Sequence, residues 1–156
     1  MLLFLGTIAG SARASSEVRG EAAYADFDTV TLALDGWVLA PPEGVLVERV
    51  DLGRTREGRV IPAVVIGAPG PVPLSERTTV FLVGGLDGIS LAGGEGAMSF
   101  TRRMLAEPSL LSNDQAFVVV PWGSPDALTR TLKGGAAAGV GARSGDADGD
   151  GAPMED

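Results

Sequence analysis

The sequence of 156 residues contains no cysteine and no histidine. Without cysteine, the chain can form neither disulfides nor thiolate metal sites. Without histidine, it lacks the commonest general base and the commonest zinc ligand in proteins. A Ser-His-Asp triad is therefore impossible, and no Gly-x-Ser-x-Gly nucleophile elbow occurs in the sequence.

Basic residues are also scarce. The chain has 12 Lys and Arg against 20 Asp and Glu, which gives a formal net charge of -8. Nucleic acid is excluded as a partner, because binding its phosphates requires clustered Lys and Arg. The length suits one domain, and a hydrophobic content of 45% permits a packed core.

Long hydrophobic runs are missing too. The N-terminal run Leu2–Ala9 is too short to span a bilayer, and Ala12-Arg13-Ala14 has the small residues that a signal peptidase recognises. We predict a signal peptide over residues 1–14, cleavage after Ala14, a secreted or periplasmic location and no membrane span in the mature chain. The alternative is a buried N-terminal strand or helix.

Apolar periodicity predicts an α/β domain with a layered sheet. Thr79–Val83 is a continuous apolar run, which is typical of a central strand buried on both faces. Residues 15–132 form the predicted domain, and residues 133–156 form a Gly- and Asp-rich tail without apolar periodicity. The predicted elements are helix Asp26–Leu39, strands Val45–Leu52, Val60–Ile66 and Thr79–Val83, helix Ser90–Leu105 with Ser90 as N-cap, and strand Ala116–Val120.

Three stretches, in order, resemble the zinc carboxypeptidase family of the pancreatic type. Leu52–Gly67 resembles the family's Gly-x-Ser/Thr-x-Glu-Gly-Arg turn and following strand, with Glu57 and Arg59 at matching positions. Phe81–Phe100 resembles the strand, turn and helix around the family's Gly-x-His-x-x-Glu motif. Val118–Arg130 resembles a strand followed by Asn-Pro-Asp-Gly, with Pro125 and Asp126 matching, Ser124 replacing Asn and Ala127 replacing Gly.

This resemblance covers about Tyr24 to Asp156. It implies a layered mixed sheet with helices on both faces, as in the N-terminal half of a zinc carboxypeptidase domain. A complete domain of the family is much longer than this chain. The family binds zinc, and its third zinc ligand and its general-base Glu come from the later half of the domain.

The zinc positions of the family carry the wrong residues here. Aligning the motifs places Leu86 on the family's His and Ile89 on its Glu, and neither side chain has a lone pair to donate. The resemblance therefore implies no catalytic residue and no zinc in this chain. Arg59 is interpreted as structural, because the family uses this Arg to tie the turn to the domain, and Arg143 as a solvent-exposed residue.

The other polar residues of the second stretch have simpler interpretations. We interpret Asp87 as a turn residue between glycines and Glu95 as a solvated helix residue, because two carboxylates alone do not make a zinc site. The same glycine-rich segment lacks the Gly-Lys-Ser/Thr and Gly-x-Gly-x-x-Gly spacings of phosphate loops.

The C-terminal tail contains a candidate Ca²⁺ site. Asp146, Asp148 and Asp150 alternate before Gly151, a spacing that lets carboxylates converge on Ca²⁺ in a tight turn. A full calcium loop needs a bidentate acid at a position equivalent to 157, so the prediction is weak binding. The alternative is a disordered acidic tail. The tail also resembles an Asp/Gly insertion that some bacterial members of the family carry.

Four hypotheses on function remain open. The first is an exported carboxypeptidase-like protein that is truncated and lacks peptidase activity on its own. The second is a secreted binding module for a peptide or protein, with weak Ca²⁺ binding in the tail. The third is a fragment of a longer, active metallocarboxypeptidase. The fourth is a gene remnant without a stable fold, because half of a layered sheet leaves an unpaired edge and an uncovered face.

Overall fold

The structure is a computed structural model, and it describes residues 24–134. The predicted signal peptide, Arg143 and the candidate Ca²⁺ site lie outside the described residues. The elements are helix α1 (Phe27–Leu39), strands β1 (Leu46–Arg54), β2 (Val60–Gly67) and β3 (Thr78–Val83), helix α2 (Leu91–Ala106), strand β4 (Gln115–Val120) and helix α3 (Pro125–Leu132).

Every helix and strand predicted from the sequence is present, with bounds within two residues of the prediction. Helix α3 was not predicted, because eight residues are too few to show a clear helical period. Its first residue is Pro125, which suits the first position of a helix because that position needs no amide hydrogen.

The four strands form one mixed sheet in the order β1-β2-β4-β3. Strands β1 and β2, and likewise β2 and β4, are antiparallel, whereas β3 and β4 are parallel. Helix α2 connects the two parallel strands, as such a crossover requires. The predicted α/β class with a mixed sheet is confirmed.

The predicted central position of Thr79–Val83 is wrong. Strand β3 lies at one edge of the described sheet, and β4 lies inside it. The side chains of Val80 and Phe81, which point to opposite faces, are 44% and 57% exposed. An apolar run indicates that a strand can pack against apolar residues. It does not show which strands pair with it, so it does not determine whether the strand is central or at an edge.

The core lies between one face of the sheet and helices α1 and α2. Because paired residues share a face, Val47, Ile66 and Phe117 lie on the same side of the sheet, and the first two belong to the main core cluster. Both helices contribute to that cluster. Its members from them are Val30, Leu34, Ala97, Met98 and Leu105.

Helix α1 illustrates how the sequence produces this packing. Its N-cap is Asp26, whose side chain accepts a hydrogen bond from the Thr29 amide at 2.8 Å. The apolar spacing predicts one buried face with Phe27, Val30, Leu34, Trp37 and Val38. Two of these residues one turn apart, Val30 and Leu34, are fully buried.

The apolar spacing of α2 predicts Leu91, Ala92, Met98, Met104 and Leu105 as its buried positions, and this prediction is partly wrong. Met98 and Leu105 are buried as expected, but Ala92 is exposed and the small residues Gly94 and Ala97 are buried instead. Small residues were overlooked because hydrophobic periodicity does not identify sites of close backbone approach.

The opposite face of the sheet is more open. One row across it contains Glu48, Val65, Val118 and Phe81, of which none is fully buried. None of the helices in residues 24–134 is long and apolar enough to cross a membrane.

Candidate functional site

A glycine-rich turn connects the end of β3 to the start of α2, and we call Gly84–Ser90 the strand-end turn. A Cβ atom on Gly84 would lie 2.3 Å from the carbonyl oxygen of Gly93 in α2. Gly85 and Gly88 have φ angles of 56° and 70°, which side-chain-bearing residues rarely adopt. The glycines therefore let strand and helix approach closely and let the chain reverse between them.

Leu86 and Ile89 lie in this turn with their side chains 57% and 47% exposed. Asp87 lies between them, and one of its carboxylate oxygens accepts hydrogen bonds from the amides of Ile89 at 3.1 Å and Ser90 at 2.9 Å. Ser90 holds the predicted N-cap position but makes no side-chain capping hydrogen bond, and Asp87 bonds the two amides just before the helix. These contacts fit the interpretation of Asp87 as a turn residue.

Glu95 is not the solvated residue that the sequence suggested. It is half-buried on α2, and its carboxylate accepts a hydrogen bond from the Ala25 amide at 3.0 Å. Glu95 therefore holds the segment that enters α1 against α2. This contact joins residues 70 positions apart, which no local pattern reveals.

The residues at the strand-end turn do not fit a zinc ion. Leu86 and Ile89 have no side-chain atom that could bind a metal, and the carboxylates of Asp87 and Glu95 already accept hydrogen bonds from backbone amides. Within residues 24–134, no three His, Cys, Asp or Glu side chains are grouped so that they could hold a metal ion.

A second polar site lies where the β1–β2 turn meets the start of α3. Five residues form it, and we call them the polar clamp: Thr55, Glu57, Arg59, Asp126 and Arg130. One carboxylate oxygen of Asp126 accepts hydrogen bonds from the Thr55 hydroxyl at 2.9 Å and from the Arg59 guanidinium at 2.6 Å. Glu57 pairs with both arginines, at 2.5 Å to Arg130. Two negative and two positive side chains thus balance one another.

The clamp perturbs the ionisation of two of its members. Hydrogen bonds from Arg59 to Glu57 and Asp126 raise the pKa of that guanidinium. Partial burial works against ionisation of Asp126, but hydrogen bonds from Arg59, Thr55 and the Glu57 amide outweigh it and hold the pKa of this carboxyl below its usual value. Arg59 and Asp126 are therefore both charged at neutral pH.

Helix α3 connects the clamp to the strand-end turn. The amide of Ser124, its N-cap, donates to the Gly85 carbonyl at 3.1 Å, and the Thr131 hydroxyl donates to the Gly88 carbonyl at 2.8 Å. Leu128, between them, is fully buried and places a methyl group 2.5 Å from where a Cβ of Gly85 would be.

The structure therefore divides the residues that the sequence singled out into two groups. Glu57, Arg59 and Asp126 meet in the clamp, with Pro125 starting the helix that carries Asp126. Leu86 and Ile89 lie in the strand-end turn. Arg130 and Thr131 were not predicted from the sequence as functional or structural residues. The one local feature that could have identified Arg130 is its position four residues after Asp126, which places both side chains on the same face of a helix.

Comparison with models of protein families gives no match, and comparison with curated proteins gives none either. Solved structures do match. Bovine thrombin-activatable fibrinolysis inhibitor superimposes with a TM-score of 0.60 at 13% identity, over 70% of this chain and 34% of its own.

Two further solved structures are similar. Carboxypeptidase A from Helicoverpa armigera has a TM-score of 0.60 at 20% identity, over 70% of this chain and 26% of its own. A metallo-carboxypeptidase from Burkholderia cenocepacia has a TM-score of 0.53 at 22% identity, over 65% and 27%. The chain thus spans about a quarter to a third of the length of these structures. The described residues have the fold of part of a metallocarboxypeptidase domain, and the resemblance predicted from three sequence motifs is confirmed at the level of the fold.

Proposed function

We propose that this chain is a carboxypeptidase-like protein that does not hydrolyse peptides on its own. The observation that carries the proposal is the strand-end turn, where Leu86 and Ile89 take the two positions that the sequence comparison assigns to metal ligands. The fold supports the resemblance to carboxypeptidases. The side chains at the turn cannot bind the zinc ion that peptide hydrolysis requires.

A catalytic zinc requires a defined set of protein ligands. Such a site needs three nitrogen, oxygen or sulfur ligands from the protein and one open position for water. The sequence contains no His or Cys, and the carboxylates of Asp87 and Glu95 already accept hydrogen bonds from backbone amides. No set of side chains in residues 24–134 supplies the missing ligands.

Peptides with free C-termini test the proposal directly. The purified full chain, incubated with such peptides and Zn²⁺, is expected to release no amino acid above a protein-free control. Release that disappears on addition of a chelator would overturn the proposal.

A zinc titration tests the role of the two apolar residues separately. The unmodified chain is expected to bind no Zn²⁺ in a calorimeter, whereas the double variant Leu86→His, Ile89→Glu should gain measurable binding. The matched control is Leu110→His, Leu39→Glu, which adds the same two ligands at exposed positions on other elements. Equal binding by the two variants would show that the turn does not bring positions 86 and 89 together as a ligand pair.

A second candidate function is a binding module for a peptide or protein. The exposed apolar side chains of Leu86 and Ile89 favour it, because exposed apolar residues at a strand-end turn are suited to contact an apolar segment of a partner. The predicted weak Ca²⁺ site at Asp146, Asp148 and Asp150 belongs to this hypothesis. Calorimetric titration with Ca²⁺ tests it, with the triple Asp→Asn variant as control, and the absence of heat from the unmodified chain would remove the metal from the hypothesis.

A secreted or periplasmic location and membership of a longer, active metallocarboxypeptidase are further proposals. Export is supported by the apolar run Leu2–Ala9 and the small residues that follow it. N-terminal sequencing of the exported protein should find Ser15 first, and an intact Met1 would contradict cleavage. The nucleotide sequence beyond the codon for Asp156 tests the longer-protein hypothesis, which requires a continuation that encodes His and Glu.

A further inference from the structure

We infer that helix α3 couples the polar clamp to the strand-end turn, so that the clamp determines the geometry of the turn. The inference does not depend on the proposed function. It rests on the contacts of one short helix, which touches the clamp with its first turn and the strand-end turn along its length.

The two contact groups of α3 lie at opposite ends of the helix. Asp126 is the second residue of the helix and holds the β1–β2 turn through Thr55, Arg59 and the Glu57 amide. Thr131 is the second-last residue and holds the Gly88 carbonyl. A helix of eight residues spans about 12 Å and is stiff over that length, so a displacement at one end is transmitted to the other.

A fixed contact lies between these two ends. Leu128 is fully buried and fills the space beside Gly85, where no Cβ is present. The Ser124 amide bonds the carbonyl of the same glycine. Helix α3 is therefore anchored through its middle to the start of the turn, and tilting it about Leu128 would move Gly88 and the neighbouring Ile89.

The ion pairs of the clamp are weak. Its charged side chains are 15% to 38% exposed, so water and salt screen their attraction. The start of the strand-end turn, in contrast, is held by close backbone packing at Gly84, whereas its later part at Gly88 is held by Thr131 of α3. The clamp is thus the part of the assembly that a change of conditions or a single substitution can release first.

Amide hydrogen exchange measured by NMR tests the coupling in the full chain. The variant Asp126→Asn keeps the size of the side chain and removes its charge. We expect the Ser124 amide to exchange roughly fivefold to tenfold faster, because its bond to Gly85 opens more often, and the Gly88 resonance to shift. The control is Asp35→Asn, which removes the carboxylate of another exposed ion pair, with Arg49, and should leave both amides unchanged.

A second variant approaches the coupling from the opposite end. Thr131→Val removes the bond to Gly88 without touching the clamp, and coupling is reciprocal, so the Glu57 amide should exchange faster in this variant. If Asp126→Asn does not fold, this measurement decides alone. An unchanged Ser124 amide in folded Asp126→Asn, an equal change in Asp35→Asn, or an unchanged Glu57 amide in Thr131→Val would overturn the inference.

Discussion

Adding one methyl group at Gly84 should destabilise the fold strongly, whereas the same change at Gly96 should not. A Cβ at residue 84 would lie 2.3 Å and 2.8 Å from the carbonyl oxygen and carbon of Gly93, and 2.9 Å from the Pro121 carbonyl oxygen. All three atoms belong to the backbone, so no side chain can rotate away. Gly96 lies on the same helix as Gly93, and a Cβ there would meet no atom within 4 Å.

The two substitutions should change the free energy of unfolding in opposite directions. Overpacking usually costs about 1–3 kcal/mol, and the rigid backbone at Gly84 places Gly84→Ala at about 3 kcal/mol or more of lost stability. Gly96→Ala should gain about 0.5–1 kcal/mol, because alanine has the higher helix propensity and restricts the unfolded chain. Gly84 is outside the left-handed region, so backbone strain does not contribute to the difference.

Urea denaturation followed by far-ultraviolet circular dichroism measures both effects against the unmodified chain. The midpoints should move in opposite directions with an unchanged slope. Equal stability of Gly84→Ala and the unmodified chain would refute the close approach of β3 and α2. A non-cooperative transition of the unmodified chain would instead support the gene-remnant hypothesis.

Two further predictions concern the clamp and the sheet edge. The pKa of Asp126 is lower in the folded chain, so its contribution to stability is complete above the ordinary value of 3.8 and is lost as the pH falls through the folded value. The unmodified chain should be more stable than Asp126→Asn by on the order of 1–2 kcal/mol at pH 7, and this difference should vanish in acid. A stability difference that does not change with pH would contradict the prediction. Phe81→Lys adds a charge to the exposed edge strand β3, so it should reduce any self-association measured by light scattering. Its cost in stability should be below about 1 kcal/mol. The control Leu39→Lys on α1 should leave association unchanged.

Local patterns were sufficient to predict most elements. The apolar spacing of α1 and the runs of the strands appear in the structure nearly where they were expected, because each reflects burial that repeats with the period of its own element. The substituted ligand positions at Leu86 and Ile89 were also visible in the sequence, since they depend only on residue identity.

Contacts between distant residues were not predictable in this way. The Glu95–Ala25 and Thr55–Asp126 hydrogen bonds join residues about 70 positions apart, and nothing in either local stretch specifies its partner. The clamp was anticipated only as a structural role of Arg59, without its partners. The contacts of Asp87 with the Ile89 and Ser90 amides also depend on the geometry of the turn, in which Gly85 and Gly88 have positive φ angles.

The sequence by itself determined what chemistry is excluded, because a chain without His and Cys cannot supply the usual ligands of a catalytic zinc. It also determined most of the elements and the order of the three motifs. Only the tertiary structure decided that β3 lies at an edge and that α3 links the clamp to the strand-end turn. Those features depend on which surfaces meet, and strand pairing and helix docking are chosen by the whole set of competing contacts rather than by any one segment.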